Sequence, residues 1–411
     1  MTTADPLRAV TVVGGGLAGF TVARELRSRG FDGTLRIVDP QGLPYDRPPL
    51  SKAYLAGEAD ATALHLAPAS WYIDNAVEIV EDSAVKVDPG RRSVLLAGGS
   101  EVDSDVVVLA TGGRARRLPV PGRDLPGVVS LRTRADADAL HATLKPGCRL
   151  LIVGAGLIGA EVAATATQLD AQVTLVDPAR VPLVPAVGEE LAAALHAMHA
   201  AHGADVLVGV PSAVRADGNG LLVEVEHQDG LRRVPADIVL VSIGLDVDSR
   251  LAESAGLAFD AGIEVDATGA TSIPAIRAAG DGIRLRGPDG RPGKRSEHWE
   301  AAMLSGAAVA CGILGRQPPE RPPAWFWSDR YGVHVEAVGS MAAPGSTVQR
   351  EVDGTQHAAF RLDTYGTLVG CAAINGGKTL RAAKRLIARR ARVDPALLAD
   401  PAVDLRKIGR T

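Results

Sequence analysis

Gly14, Gly16 and Gly19 stand in G-x-G-x-x-G spacing within VTVVGGGLAGF, and Gly154, Gly156 and Gly159 repeat that spacing within LLIVGAGLIGAE. Glycines so spaced allow a tight turn, close backbone approach to a pyrophosphate and close packing of a helix on a strand. The amides at the helix N-terminus then receive the negative charge. Each loop is followed by a second apolar run ending in an acid, LRIVD at Asp39 and VTLVD at Asp177. A carboxylate there takes the ribose hydroxyls of an adenine dinucleotide and repels a 2′-phosphate, so Asp177 favours NADH over NADPH; Arg180, three residues on, softens that preference. One such loop is a weak signal. Two complete strand–glycine–helix–strand–acid units imply two dinucleotides in one polypeptide, and hence an enzyme passing electrons between a flavin and a nicotinamide.

The elements that must hold these loops follow from the pattern. Residues 6–40 read as a first β-α-β unit, and residues 41–70 as an irregular, proline-punctuated segment. Strand-like stretches come next at Val77–Val87 and Ser93–Leu96, then DVVVLATGG, an apolar run ending in a turn at Thr111–Gly113. PVPGRDLPG (Pro119–Gly127) reads as a linker. A second β-α-β unit covers Arg149–Asp177, with further strands near Ala204–Val210 and Leu221–Glu226. ADIVLVSIGL (Ala236–Leu245) is a strand of the DVVVLATGG kind, so the repeat extends beyond the glycines. The chain then returns to its first domain through AIRAAGDGI and a helix from about His298 to Leu314. Pro318, Pro319, Pro322 and Pro323 mark a boundary before strand patterns (VHVEAVG, HAAFRLD, TLVGCAAI) and a helix near Thr379–Arg390. The expected division is an α/β chain with residues 1–118 and 245–321 in a first nucleotide domain, 119–244 in a second, and 322–411 in a C-terminal α+β domain.

At 411 residues the chain is too long for one core. A net charge of -4 with 22% charged residues gives no global pull toward nucleic acid or membrane. No apolar run approaches the ~18 residues of a spanning helix. MTTADPLRAV lacks a basic region followed by an apolar signal core, which makes the cytoplasm the expected location. Cys148, Cys311 and Cys371 are widely separated and read as small buried hydrophobes. Without four thiolates the chain holds no iron–sulfur cluster of its own, and no close pair serves as a redox disulfide. No metal site is expected, and the electron acceptor must be a separate molecule.

Beyond the glycine loops, PYDRPPLSK (Pro44–Lys52), ATGGRARRLP (Ala110–Pro119), AAGD with RSEHWEAA (Ala278–Asp281, Arg295–Ala302), FWSDRYG (Phe326–Gly332) and LLADPAVDLRKI (Leu397–Ile408) span essentially the whole chain. In these motifs it resembles the FAD-containing NAD(P)H:ferredoxin reductases of the putidaredoxin reductase and aromatic-dioxygenase type. The resemblance implies a glutathione-reductase-like fold: two Rossmann-like dinucleotide-binding domains plus a C-terminal α+β domain. It departs from the family in small ways, with Asp39 and Asp177 where Glu is frequent and ATGG where ATGA is common. By the same resemblance Gly14, Gly16, Leu17, Ala18 and Gly19 cradle the FAD pyrophosphate and Asp39 holds its adenosine ribose. Arg47 and Pro48 line the flavin, Val85, Thr111, Gly112, Arg132 and Asp281 contact FAD, and Trp299 lies against the ring. Gly154, Gly156, Leu157, Ile158, Gly159, Asp177 and Gly244 hold NADH. Lys52 and Glu161 pair beside the flavin N5, where a cation favours the electron-rich reduced ring.

The implied activity is hydride transfer from NADH to FAD, followed by single-electron transfer to a separate [2Fe–2S] ferredoxin serving a cytochrome P450 or a ring-hydroxylating oxygenase. Arg284, Arg286, Arg291, Lys294 and Arg295, with only Asp289 among them, form one basic surface for an acidic ferredoxin; Arg381, Lys384, Arg385, Arg389 and Arg390 form another, with Trp327 as an edge residue on the electron path. The oligomeric state, monomer or homodimer, stays open. A rubredoxin reductase or NADH oxidase of the same fold is the nearest alternative, disfavoured as an oxidase because no cysteine falls between Met1 and Pro146. A redox-sensing interaction protein resembling apoptosis-inducing factor is the other.

Overall fold

The structure is a computed structural model that describes residues 7–287, 289–352 and 356–408. The opening residues, on which the reading of the N-terminus rests, lie outside the described ones, as does the start of the expected first β-α-β unit. In chain order the principal elements begin with β1 (Ala9–Val13), α1 (Leu17–Ser28), β2 (Thr34–Val38), β3 (Val77–Val80) and β4 (Val106–Leu109). There follow β5 (Val128–Ser130), β6 (Arg149–Val153), α2 (Leu157–Gln168), β7 (Gln172–Asp177), α3 (Glu189–Ala201), β8 (Asp205–Val208) and β9 (Ile238–Val241). The chain continues through β10 (Ile276–Ala278), α4 (Trp299–Ile313), β11 (Trp325–Arg330), β12 (Val333–Gly339), β13 (Ser346–Val352), β14 (Gln356–Leu362), β15 (Leu368–Ile374) and α5 (Gly377–Ala388).

Two compact units result, one of residues 1–47, 61–114 and 245–321, the other of 48–60, 115–244 and 322–411. The first contains a parallel sheet in the order β10-β4-β1-β2-β3. Val10, Val12 and Val13 in β1 are buried, as a strand covered on both faces must be. Helix α4 lies directly on α1 because Gly306 has no side chain: a Cβ there would stand 2.5 Å from the Ala18 carbonyl oxygen. Between β3 and β4 runs a small antiparallel meander, Ala84–Asp88, Ser93–Leu96 and Glu101–Asp103.

The second unit repeats the plan. Its parallel sheet runs β8-β7-β6-β9-β5, and a three-stranded meander (Val210–Asp217, Gly220–His227, Gly230–Ala236) again precedes the fourth parallel strand. The edge next to the fourth strand is filled differently. In the second sheet β5 enters ahead of the glycine loop, whereas in the first β10 arrives when the chain returns.

The C-terminal residues build an antiparallel sheet, β11-β12-β15-β14-β13, within this second unit. Alternate residues point to opposite faces of a strand. Phe360 and Cys371 pack with Leu380, Ala383 and Leu386 of α5, while Ala359 and Ala372 pack with Val187, Leu191 and Leu195 of the nucleotide-binding part. The closing LLADPAVDLRKI segment is fastened by Arg350, whose guanidinium donates to the carbonyls of Leu398, Pro401 and Val403. Cys311 and Cys371 are buried, as expected, and Cys148 is half-buried. Among the described residues no helix is long and apolar enough to cross a membrane, and no His, Cys, Asp and Glu group could hold a metal ion.

Candidate functional site

In the first unit, Gly14 has φ +109, a conformation that L residues rarely adopt, and a Cβ on it would lie 2.4 Å from the Ala110 carbonyl oxygen. A Cβ on Gly19 would stand 2.0 Å from the Gly14 carbonyl oxygen. Gly16 caps α1 without any side-chain hydrogen bond, so the first amides of the helix, including those of Leu17 and Ala18, are left for an anion. Asp39 leaves β2 nearly buried, at 9% exposure. Its Oδ2 accepts the Gly15 amide at 2.6 Å and its Oδ1 the Gln41 amide at 2.8 Å. Each oxygen keeps a second lone pair for a ribose hydroxyl. The Arg47 guanidinium covers Gly16, with Nη1 3.1 Å from where a Cβ would be.

The turns carrying Thr111–Gly112 and Asp281 converge on this loop. Gly280 would touch the Ala18 Cβ at 3.0 Å, and Gly282 the Gly112 carbonyl oxygen at 3.2 Å. Trp299 opens α4, and its Nε1 donates to Asp46 at 2.9 Å, an acid to which the sequence reading assigned nothing. Val85 stands apart: it is the extra residue at a bulge between Ala84 and Lys86 and is exposed. Pro48, Lys52 and Arg132, also expected at the flavin, belong to the second compact unit.

The second loop has the same backbone. Gly154 has φ +100, and Gly159 would meet the Gly154 carbonyl oxygen at 1.9 Å. Asp177 accepts the amides of Ala155 and Ala179, each at 2.8 Å. Gly156 again caps the helix with no side-chain bond, but here nothing lies within 4 Å of a Cβ. Leu157 and Ile158 start α2, with Ile158 exposed; Gly244 (φ +105) follows β9, its carbonyl accepting the Arg116 amide at 2.9 Å. Arg180 is exposed. Both loops therefore fit the pyrophosphate and ribose of an adenine dinucleotide.

Glu161, two residues past Gly159, is buried, at 5% exposure. Read one at a time, it and Lys52 would be solvated surface charges; the fold instead places Lys52 Nζ 3.2 Å from Glu161 Oε1 and 3.7 Å from Asp329 Oδ2. Lys52 follows the 3₁₀ turn Pro48–Ser51, whose prolines suit a first helical turn because their missing amides would have no partner there. Three residues missed in the sequence complete the cluster. Ser51 donates to Glu161 Oε2 at 2.5 Å, Ser328 donates to Oε1 at 2.6 Å, and Arg330 donates to the Ser328 hydroxyl at 2.9 Å. Ser328 and Arg330 sit two apart on β11, the spacing that puts strand residues on one face; FWSDRYG contained that signal. Beside them His199 of α3 is held neutral, its pKa pushed down to about 3 by burial and secondarily by Arg330. Its Nδ1 lies 2.9 Å from the Tyr331 hydroxyl.

Trp327 stacks on Trp325 at 5.0 Å between ring centroids, with Lys52 Nζ 5.8 Å from one ring and Lys384 Nζ 5.8 Å from the other. The two basic surfaces differ. Arg284 pairs with Asp260, Arg286 with Glu264 at 3.6 Å and Arg295 with Glu297 at 2.7 Å, so acids distant or adjacent in sequence neutralise much of that cluster. Arg291 and Lys294 there are exposed. On α5, by contrast, Arg381 and Arg385 are exposed on the side away from the buried Leu380, Ala383 and Leu386, and Arg389 and Arg390, just past the end of the helix, are exposed as well.

Residues 8–306 match the pyridine nucleotide-disulphide oxidoreductase family and residues 325–409 a reductase C-terminal family. The chain is 38% identical over 408 residues to the ferredoxin–NAD(+) reductase subunit of the benzene 1,2-dioxygenase system of Pseudomonas putida, covering 98% of this chain and 97% of that relative. Among solved structures, the ferredoxin reductase for the CYP199A2 system of Rhodopseudomonas palustris superposes with a TM-score of 0.91 at 32% identity, over 97% of this chain and 98% of that one. The covalent putidaredoxin reductase–putidaredoxin complex gives a TM-score of 0.88 at 32% identity, over 98% of each chain.

Proposed function

The chain belongs to the pyridine nucleotide-disulphide oxidoreductase family, and on that premise we propose that it is an FAD-containing, NADH-dependent ferredoxin reductase. The observation carrying this reading is the buried Glu161 holding Lys52 in a chain with no cysteine before Cys148. The place of a redox disulfide is taken by a lysine, and electrons must leave to an external acceptor. Bound FAD accepts electrons in a pair from NADH and passes them on singly to an iron–sulfur centre.

In the first loop Gly14, Gly16 and Gly19 admit the FAD pyrophosphate to the α1 amides, Asp39 takes the ribose, and Arg47 closes over Gly16. Thr111, Gly112 and Asp281 bond the remainder, and Trp299, oriented by Asp46, borders the ring. In the second loop Gly154, Gly156, Gly159 and Asp177 receive NADH, with Ile158 and Gly244 at the rim. Glu161 orients Lys52, whose charge stabilises electron density arriving on the flavin. The functional division follows the boundaries read from sequence, residues 1–118 with 245–321, 119–244 and 322–411. The enzyme works in the cytoplasm, as a monomer or homodimer in which each chain carries both nucleotides.

The partner is an acidic [2Fe–2S] ferredoxin. The exposed, basic face of α5 is the stronger electrostatic platform, since Arg284, Arg286 and Arg295 are already paired with acids. NADH-driven cytochrome c reduction against a panel of purified [2Fe–2S] ferredoxins tests the reading. One of them should raise the rate saturably and lose that effect steeply with added salt. Brisk NADH oxidation by dioxygen with no response to any ferredoxin would favour the oxidase alternative.

A further inference from the structure

We propose that Arg330, acting through Ser328, is a positioning residue that fixes the Glu161 carboxylate and so sets where the Lys52 ammonium sits; this rests on the reading that Lys52 acts in flavin reduction. The direction of the hydrogen bonds is determined by chemistry. A guanidinium only donates, so the Ser328 oxygen is the acceptor in its 2.9 Å contact with Arg330. The single Ser328 proton is then committed to Glu161 Oε1, 2.6 Å away. Ser51 commits its proton to Oε2 at 2.5 Å. With both oxygens held, the carboxylate cannot rotate, and Lys52 meets Oε1 at 3.2 Å. Lys52 has a second anion in reach, Asp329 at 3.7 Å, whose side chain is 42% exposed. A fixed Glu161 is what keeps the ammonium on the buried side of that choice.

Arg350 shows what a purely structural buried arginine looks like in the same unit. Its fork closes on three backbone carbonyls. Arg330, 3% exposed, bonds only the Ser328 hydroxyl among the described residues. Burying a guanidinium so thinly satisfied is costly unless its charge interacts with a nearby anion. Glu161, one hydroxyl away, is that anion.

A double-mutant cycle tests the proposal, using Arg330→Met and Ser328→Ala alone and combined with Lys52→Met in the FAD-loaded protein. The readouts are the rate constant of flavin reduction at saturating NADH in anaerobic stopped flow, the NADH Kd, and the flavin midpoint potential at equilibrium. Arg330→Met should slow reduction about tenfold and Ser328→Ala about threefold, each falling below about twofold once Lys52 is gone, because residues acting as a unit are non-additive. The NADH Kd should hold, the midpoint potential should become more negative in Arg330→Met, and Arg330→Lys should recover most of the rate. Equal losses in both backgrounds would make Arg330 merely structural and overturn the inference. Wild-type rates in Arg330→Met and Ser328→Ala, with Lys52→Met slow, would overturn it and leave the Lys52 reading standing. Unchanged rates in Lys52→Met would remove both. Should Arg330→Met fail to fold, Ser328→Ala, which deletes one oxygen, carries the same cycle.

Discussion

The two glycine loops share a backbone and differ in what covers them. Each has a positive-φ glycine packed on the end of the fourth strand, a third motif glycine where a Cβ could not enter, and a strand-end aspartate tied to the loop amide. At Gly16 the Arg47 guanidinium occupies the adjacent space; at Gly156 that space is open. A covered cradle slows the departure of its ligand and an uncovered one lets its ligand exchange. On the proposed assignment FAD would be the resident ligand of the first loop, and NADH the one that comes and goes at the second.

The largest effect that could break this comparison comes from the tightest glycines. Gly159→Ala should leave a yellow protein that NADH reduces at least about 100-fold more slowly, since overpacking a Cβ against backbone displaces the helix N-terminus. Gly19→Ala should instead purify with the yellow absorbance of its flavin largely lost. Flavin loss in both variants would mean the cradles are not separate sites.

Next in size are the aspartates. Asp177→Ser should raise the NADH KM about tenfold, or about 1.4 kcal/mol, and narrow the gap to NADPH in steady-state kinetics. Asp39→Ser should weaken FAD by a similar factor in fluorescence titration of the apoprotein and leave the NADH KM alone. Smaller again, Arg47→Ala should speed FAD release about fivefold, read by recovered flavin fluorescence on dilution, because removing a cover acts mostly on the off-rate. No change in release would end the account of Arg47 as a cover. The smallest difference concerns stability without ligands. Gly156→Ala should shift Tm by less than about 1 °C, whereas Gly16→Ala, which must move Arg47, should lower it by a few degrees. Equal shifts would show that the space beside Gly16 is not filled in solution.

Much of this architecture was legible because its signals are local. The glycine spacing, the apolar runs of β1 and β6, and the acids at Asp39 and Asp177 lie within single β-α-β units, where steric rules act between near neighbours. The pairing of Lys52 with Glu161 was legible only through the resemblance of their motifs to a family, since neither residue's own neighbourhood signals the contact that the fold makes at 3.2 Å. Ser51, Ser328 and Arg330 were missed because their meaning depends on partners far along the chain: Ser51 and Glu161 are 110 residues apart, and Ser328 and Glu161 are 167. The same distance effect hid the ion pairs of the basic cluster near Arg284, where only Asp289 is an acid in the local sequence and Asp260 and Glu264 are brought to it by folding.

What the sequence by itself determined is where phosphate and ribose can bind, because a missing Cβ and a strand-end carboxylate act through the backbone of their own loop. Only the tertiary structure decided how the charges are arranged: that Glu161 is buried, that two serines and an arginine hold it, and that Arg47 covers one loop while the other stays open. Coulombic and hydrogen-bond energies depend on separation and burial, and neither is defined until distant segments have packed.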